Sequence, residues 1–283
     1  MKTSSLVLTA RSIFYATVMT CVGVVSSYSQ VSLAPSALFI HARSGIGNLY
    51  VTNPSATPQE VNVEFVFGYP SADSTGNLTV DYRDTVAAQT YALNPYVKAY
   101  PRSFILQPKG QQTVRLQVRT KSSLKDAFLF TRVKVTSVEK SPEIGKKPTE
   151  GISAQVKFKF EQILPVFYTK GNLTTGLDVG DVATSVKDSK LTLVVDLERT
   201  GSAPFIGSAK AVLYSPAGTE EGRSEQTVSV YFNLKQKMEI DISKASRGAH
   251  KVVLTYETKR SDIAPEDLIQ TQPITKDIPV NIE

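Results

Sequence analysis

Apolar residues at alternate positions recur along almost the whole chain after residue 30, and this period of two constrains the fold more than any other feature. It is clear in Val61-Asn-Val-Glu-Phe-Val-Phe67 and again in Leu191-Thr-Leu-Val-Val-Asp-Leu197. Alternation places the apolar side chains of a strand on one face and the polar side chains on the other. Turn residues separate these short runs, and no long stretch carries the stripe of an amphipathic helix. The sequence therefore predicts an all-β protein built from β-sandwiches.

Two breaks in composition divide the chain. Residues 141–151 are polar and rich in Pro, Gly and Lys, and a second break, 169–176, follows an apolar run. A chain of 283 residues is long enough for two domains. We therefore predict an N-terminal domain over residues 30–170 and a C-terminal β-sandwich domain over residues 171–283.

The first 29 residues have the pattern of a secretory signal peptide. Lys2 and Arg11 precede the apolar run 13–25, and Ser27 and Ser29 occupy the small-residue positions before a cleavage site at Gln30. An uncleaved anchor is the alternative, but the run is shorter than the roughly 20 residues of a membrane span. Lipidation at Cys21 fits less well, because apolar residues follow this cysteine. We therefore expect a processed protein without cysteine and without stable membrane insertion.

The amino-acid composition argues against several classes of function. The chain has two His, one Cys and no Trp, and neither His41 nor His250 has Cys or acidic residues at ligand spacing, so we expect no metal site and no cofactor. Without residues 1–29 the formal net charge falls from +6 to +4, with Lys and Arg interspersed among acids, which does not indicate nucleic-acid binding. A hydrolase using acidic pairs such as Glu220-Glu221, or Asp178 with Asp181, has little support, because these residues lie in loop-like sequence.

Short motifs in a fixed order between residues 31 and 170 carry a family resemblance. They are Val31-Ser-Leu33, Gly47-Asn-Leu-Tyr-Val-Thr-Asn53, Phe104-Ile-Leu-Gln-Pro108, Gln112-Thr-Val-Arg-Leu116, Ala127-Phe-Leu-Phe130 and Pro165-Val-Phe-Tyr168. In type, order and spacing they resemble the N-terminal domain of periplasmic pilus-assembly chaperones of the chaperone–usher type, and the chain is similar to a divergent member. Residues 171–283 match only in length and strand pattern. The resemblance implies two immunoglobulin-like sandwiches joined in an L.

The resemblance also implies a function that is not catalysis. Such chaperones bind incomplete immunoglobulin-like pilus subunits in the periplasm and lend them an edge strand until assembly, which can involve an outer-membrane usher. In β-augmentation of this kind, main-chain hydrogen bonds supply affinity and alternate side chains fill a groove in the partner. An apolar edge strand could also pair with a second copy of the chain in a self-capped dimer.

The segment before Phe167 and Tyr168 matches the lent strand of the family. Its apolar residues alternate strictly with polar ones and share one face; they are Ile152, Ala154, Val156, Phe158 and Phe160. By the resemblance, these are the donor residues that would bind the subunit. From the pattern alone, the same face could instead fill the core of the chain's own sandwich.

The anchoring residues of the family are missing. In the family, two basic residues in the cleft between the domains hold the terminal carboxylate of the subunit, and the matching positions here are Ala37 and Pro165. Arg43 and Lys170 are the nearest basic residues and are the predicted substitute anchors. Arg115 matches an Arg of the family signature, where it is predicted either to form an interdomain ion pair or to be a solvated strand charge.

A second function remains open from the sequence. A structural or adhesive protein of the cell surface could use the same sandwiches without lending a strand. In that case the apolar face of residues 152–160 would be buried within the chain's own core. A chaperone requires that face to be exposed.

Overall fold

The computed structural model describes residues 31–140 and 158–282. The predicted signal peptide and the donor residues Ile152, Ala154 and Val156 lie outside the described residues. Strands dominate what is described, and they form two separate sandwiches. The prediction of an all-β protein with two immunoglobulin-like domains is therefore confirmed.

The first domain packs two sheets face to face. Sheet A has the strand order β1 (Ser32–Ala34), β3 (Ile46–Thr52), β9 (Gln111–Val118) and β7 (Val97–Tyr100). Sheet B has the order β2 (Leu38–His41), β11 (Lys159–Lys170), β10 (Ala127–Glu139), β4 (Gln59–Val66) and β8 (Ser103–Leu106). All pairs are antiparallel except β2 with β11, which is parallel.

The core of the first domain follows from the alternation seen in the sequence. Val114 and Leu116 of β9 face inward in sheet A, and Val133 and Val135 of β10 face them from sheet B; all four are almost completely buried. Burying each such side chain contributes about 1.5–3 kcal/mol. The polar residues between them point outward, as the period of two requires.

A hairpin and a short helix extend from the first domain between β4 and β7. The hairpin consists of β5 (Tyr69–Ala72) and β6 (Leu78–Asp81), and the helix, α1, spans Thr85–Tyr91. Asp84 caps α1, since its side chain accepts a hydrogen bond from the backbone N–H of Ala87 at 2.8 Å. A 3₁₀ turn at Asn94–Tyr96 then leads into β7.

The second domain is a sandwich of three and four strands. One sheet has the order β12 (Thr175–Lys187), β13 (Lys190–Gly201) and β16 (Asn233–Asp241). The other has the order β15 (Glu220–Val230), β14 (Phe205–Tyr214), β17 (Gly248–Glu257) and β18 (Ile274–Ile282). Its core includes the fully buried Leu193, Phe205 and Tyr256. A 3₁₀ turn at Pro265–Asp267 precedes β18.

Candidate functional site

One edge of β11 has no neighbouring strand over about half its length. On one side, β11 pairs with β10 from Lys159 to Lys170. On the other side, β2 pairs with it only from Val166 to Thr169. Within the described residues, the stretch Lys159–Pro165, here called the open edge, therefore has no second strand partner. An edge of this kind presents backbone N–H and C=O groups to an incoming strand.

The inward side of β11 changes character along the strand. Val166 and Tyr168 are buried in the core of the first domain, and Leu164 packs against them. On the same face, the side-chain amide of Gln162 donates a hydrogen bond to the carbonyl of Val31. Because β11 is regular here, the apolar face continues from the core towards Phe160.

Phe160 and Phe158 continue this face beyond the core. Phe160 is half-buried, while Phe158 is 49% exposed. Their rings lie 6.3 Å apart between centroids and 26° from parallel. The predicted donor face is thus exposed at its one described end, and the same face fills the chain's own core further along the strand.

Ion pairs cover the outward side of sheet B beside the open edge. Lys159 lies 2.7 Å from Glu161, and Lys134 of β10 lies 2.9 Å from Glu64 of β4. The hydrogen bond from Lys159 lowers the pKa of Glu161, and the bond to Glu64 raises the pKa of Lys134. These side chains are at least partly exposed, so the ion pairs keep this side of the sheet soluble but contribute little to stability.

Arg132 lies at the inner end of the open edge, directly opposite Pro165 on β11. Its Nε is buried and has no hydrogen-bond partner among the described residues. Burial raises the pKa of Tyr231 in the second domain, and the nearby charges of Arg132 and Arg260 oppose that rise. A guanidinium with an unsatisfied buried N–H next to the second domain is suited to bind an anion.

An aromatic cluster fills the space between the two domains. Phe130 contacts Tyr231 of the second domain at 4.7 Å between ring centroids, and Tyr69 of the hairpin contacts Phe232 at 4.9 Å. Ala203, Ile206, Ile263 and Leu268 of the second domain pack in the same cluster, together with Phe128 and Phe167 of the first. The aromatic cluster therefore forms an apolar wall beside Arg132 that is largely shielded from water.

The two positions that carry basic anchors in the family lie close to this wall. Ala37 packs, partly buried, against the aromatic cluster, and Pro165 is the last residue of the open edge. Neither side chain can bind a carboxylate. Arg132, which the sequence reasoning missed, is the cation next to Pro165.

The predicted substitute anchors lie further along β11 and β2. Lys170 is five residues beyond Pro165, which is about 16 Å along a strand, and Arg43 follows the end of β2. Anchoring through either residue stays a prediction.

Arg115 is exposed on the outward side of sheet A, between Asn48 of β3 and Tyr100 of β7. No ion pair within residues 31–140 and 158–282 includes it. The interdomain ion pair stays a prediction, and the exposure is that of a solvated strand charge.

Polar contacts also cross between the domains. His41 at the end of β2 lies 3.1 Å through Nε2 from Asp267 Oδ1, and its Nδ1 lies 2.8 Å from Thr169 Oγ1. Ser36 donates a hydrogen bond to Asp262 at 3.4 Å. These contacts join the start of the first domain to the loop before β18.

The described part of the chain contains no group of three or more His, Cys, Asp or Glu side chains able to hold a metal ion. None of its helices is long and apolar enough to cross a membrane.

No family model matches the chain, and no curated protein matches it. Among solved structures, it is similar to the YadV chaperone, at 12% identity and a TM-score of 0.45, covering 89% of this chain and 100% of that one. A chaperone–tip adhesin subunit complex, CsuC–CsuE of the archaic chaperone–usher Csu pili of Acinetobacter baumannii, matches at 12% identity and 0.43, covering 87% and 98%. The SafA pilin in complex with the SafB chaperone of Salmonella enterica gives 12% and 0.42, covering 88% and 96%. Each of these three structures contains a chaperone.

Proposed function

We propose that this protein is a periplasmic chaperone that binds incomplete immunoglobulin-like pilus subunits by adding an edge strand to them. The open edge of β11 is the single observation that carries the proposal. It offers backbone groups to a partner strand, and the alternating side chains that continue past Phe160 suit an apolar groove. Such an edge would otherwise be prone to aggregation, so a natural protein that keeps one has a use for it.

The structure also supports a polarity for the added strand. A strand paired with the open edge must stop at Pro165, because β2 takes over the pairing from Val166. If the added strand runs parallel to β11, its C-terminal carboxylate reaches this end, where Arg132 has an unsatisfied N–H. An antiparallel strand would bring a positively charged N-terminus to the same guanidinium, which is repulsive. We therefore propose Arg132 as the carboxylate anchor that replaces the two missing basic residues.

The cellular location is part of the proposal. Residues 1–29 have the composition of a signal peptide, and we propose that they direct the chain to the periplasm. There the chaperone would hold subunits until they pass to assembly, for which an usher in the outer membrane is the expected recipient.

A pull-down of the tagged protein from periplasmic extract, with partners identified by mass spectrometry, tests the proposal. Small secreted β-rich subunits are the expected partners. Phe158→Glu would place a charge in the apolar groove of the partner and should reduce recovery at least tenfold, on the order of the cost of burying a charge. Val186→Glu is the matched control, because Val186 is 46% exposed on the edge strand β12 of the other domain.

The polarity is tested on a recovered partner. Extending its C-terminus by a few residues should weaken binding about as much as Arg132→Gln does, roughly tenfold to a hundredfold for one charged hydrogen bond. Recovery of no such partner, with the protein found at the cell surface, would overturn the chaperone proposal in favour of a structural or adhesive role. Unchanged binding after Arg132→Gln would remove only the anchor.

A further inference from the structure

A long segment of the first domain carries positive charge without any acid. Between Asp84 and Asp126 there is no Asp or Glu, and seven Lys or Arg residues occur: Lys98, Arg102, Lys109, Arg115, Arg119, Lys121 and Lys125. The even mixture of charges expected from composition is wrong for this segment. All seven side chains belong to exposed residues, and no ion pair of the described residues includes any of them.

The strands of sheet A bring part of this segment together on one surface. Arg115 of β9 lies between Asn48 of β3 and Tyr100 of β7, and Lys98 pairs with Gln117 two residues further along. Tyr50 of β3 is opposite Thr113. We call the outward-facing residues Asn48, Tyr50, Lys98, Tyr100, Arg115 and Gln117 the basic face. Arg119 follows at its end, one alternation beyond Gln117.

None of the four strands of sheet A, the three that carry the basic face and β1 beside them, contains an Asp or a Glu. Two tyrosines are well exposed on it, Tyr50 at 40% and Tyr100 at 52%. Neighbouring strands lie about 4.8 Å apart, so Tyr100, Arg115 and Asn48 form one continuous row across three strands. The surface is therefore positive, aromatic and rich in hydrogen-bond donors.

We propose that the basic face is a docking surface for an acidic polypeptide segment. Charge complementarity selects an acidic partner, since nothing on this sheet would repel carboxylates. Tyr and Arg are the residue types enriched in protein–protein interfaces, and both stand in the centre of this surface. A lipid surface fits less well, because Ile46, opposite Gln117, is the one large aliphatic residue at an outward position of these strands.

The docking surface is separate from the open edge. The open edge belongs to β11 in sheet B, whereas the basic face is the outward side of sheet A, on the opposite side of the sandwich. An acidic partner could therefore bind while a strand occupies the open edge. The inference does not depend on the proposed chaperone function.

Fluorescence anisotropy with a labelled poly-L-glutamate peptide of about twenty residues tests this surface, at an ionic strength low enough to leave charges unscreened. The triple variant Lys98→Gln, Arg115→Gln, Arg119→Gln should weaken binding about tenfold or more. A matched triple variant, Lys187→Gln, Lys244→Gln, Arg247→Gln, removes the same charge from exposed positions of the second domain and should weaken it less than about twofold.

Tyr100→Ala tests whether peptide binding depends on more than the net charge of the surface. It should weaken peptide binding although it changes no charge, because an interface uses the ring as well as the cations. Equal weakening by the two triple variants, or no effect of Tyr100→Ala, would overturn the docking surface. Binding to vesicles of phosphatidylglycerol without binding to poly-L-glutamate would overturn it in favour of a membrane surface.

Discussion

His250 Nε2 lies 2.8 Å from Glu221 Oε2, and this pair ties the start of β17 to the start of β15. The other ring nitrogen, Nδ1, lies 2.9 Å from the carbonyl oxygen of Gly248. Both nitrogens therefore face acceptors, which favours the doubly protonated ring. Burial of the ring opposes the charge, but the bonds to Gly248 and Glu221 outweigh it and raise the pKa of His250.

This pair predicts a stability of the second domain that falls as the pH rises. The raised pKa of His250 stabilises the fold below the unfolded value near 6.5, and this contribution is lost as the pH rises through the folded pKa. Glu221 acts at the acidic end of the pH range. The His250 hydrogen bond lowers the pKa of Glu221, so the contribution of this carboxylate to stability is lost only as the pH falls below about 4.5. The melting temperature should therefore be higher near pH 6 than near pH 8.5.

His250→Gln checks this assignment. Glutamine cannot take up the proton, so the slope of the melting temperature between about pH 6 and 8.5 should flatten. His41→Gln is the control. The His41 side chain is exposed whereas that of His250 is buried, so losing His41 should change the slope less. An unchanged slope in His250→Gln would contradict the assignment.

The regular strands of the fold follow from the sequence, while the features that form the site do not. Alternation identifies β4, β9 and β13 because their inward residues are buried one by one. It misses α1, where Ala87 is the one buried residue and no stripe can arise. It also says nothing about which neighbour a strand has, so the short reach of β2 along β11 could not be predicted.

Residues 128–131 show the same limit at the domain interface. Four consecutive positions of β10 are buried, because the first domain's core covers one side and the second domain covers the other. Tyr231, which packs on Phe130, lies about a hundred positions away in sequence. In the sequence, Arg132 is an ordinary polar residue of an alternating strand. Only its surroundings in the folded protein distinguish it from Lys134 two residues later.

That distinction gives a second prediction. Arg132→Met should stabilise the unbound protein by about 1 kcal/mol, because it removes a buried N–H without a partner. The expected rise in melting temperature is about 2–4 °C. The same substitution should weaken subunit binding, so stability and affinity change in opposite directions.

Lys134→Met is the matched control, on the same face of the same strand. It breaks the contact with Glu64 and should leave the melting temperature unchanged or lower it slightly. Thermal unfolding of the two variants beside the wild type makes the comparison. A lower melting temperature for Arg132→Met would show that the guanidinium is satisfied in solution.

The hairpin of the first domain gives a third prediction through Gly76. This glycine has φ of +82°, and a Cβ there would lie 2.9 Å from the Cβ of Lys237 in the second domain. Gly218 has nearly the same φ, +81°, with no described atom within 4 Å. Gly218→Ala should therefore cost only the left-handed backbone penalty, about 1–2 kcal/mol.

Gly76→Ala adds a clash across the domain boundary to the same penalty, so it should lower the free energy of unfolding more than Gly218→Ala does. Urea unfolding measures both. Equal losses would mean that the hairpin does not rest on β16 in solution.

The contact between Phe130 and Tyr231 gives a fourth prediction, about coupling between the domains. Their rings meet edge to face at an interplanar angle of 72°, a geometry worth about 0.5–1.5 kcal/mol beyond the area buried. In a double-mutant cycle with Phe130→Leu and Tyr231→Leu, the losses in free energy of unfolding should be non-additive by about this amount. Tyr256 supplies the comparison, since it is buried in the second domain's core against Phe205 and lies outside the aromatic cluster. Phe130→Leu with Tyr256→Leu should be additive within about 0.5 kcal/mol. If the first cycle were also additive, the aromatic cluster would not couple the domains, and the wall beside Arg132 would not be held in place by it.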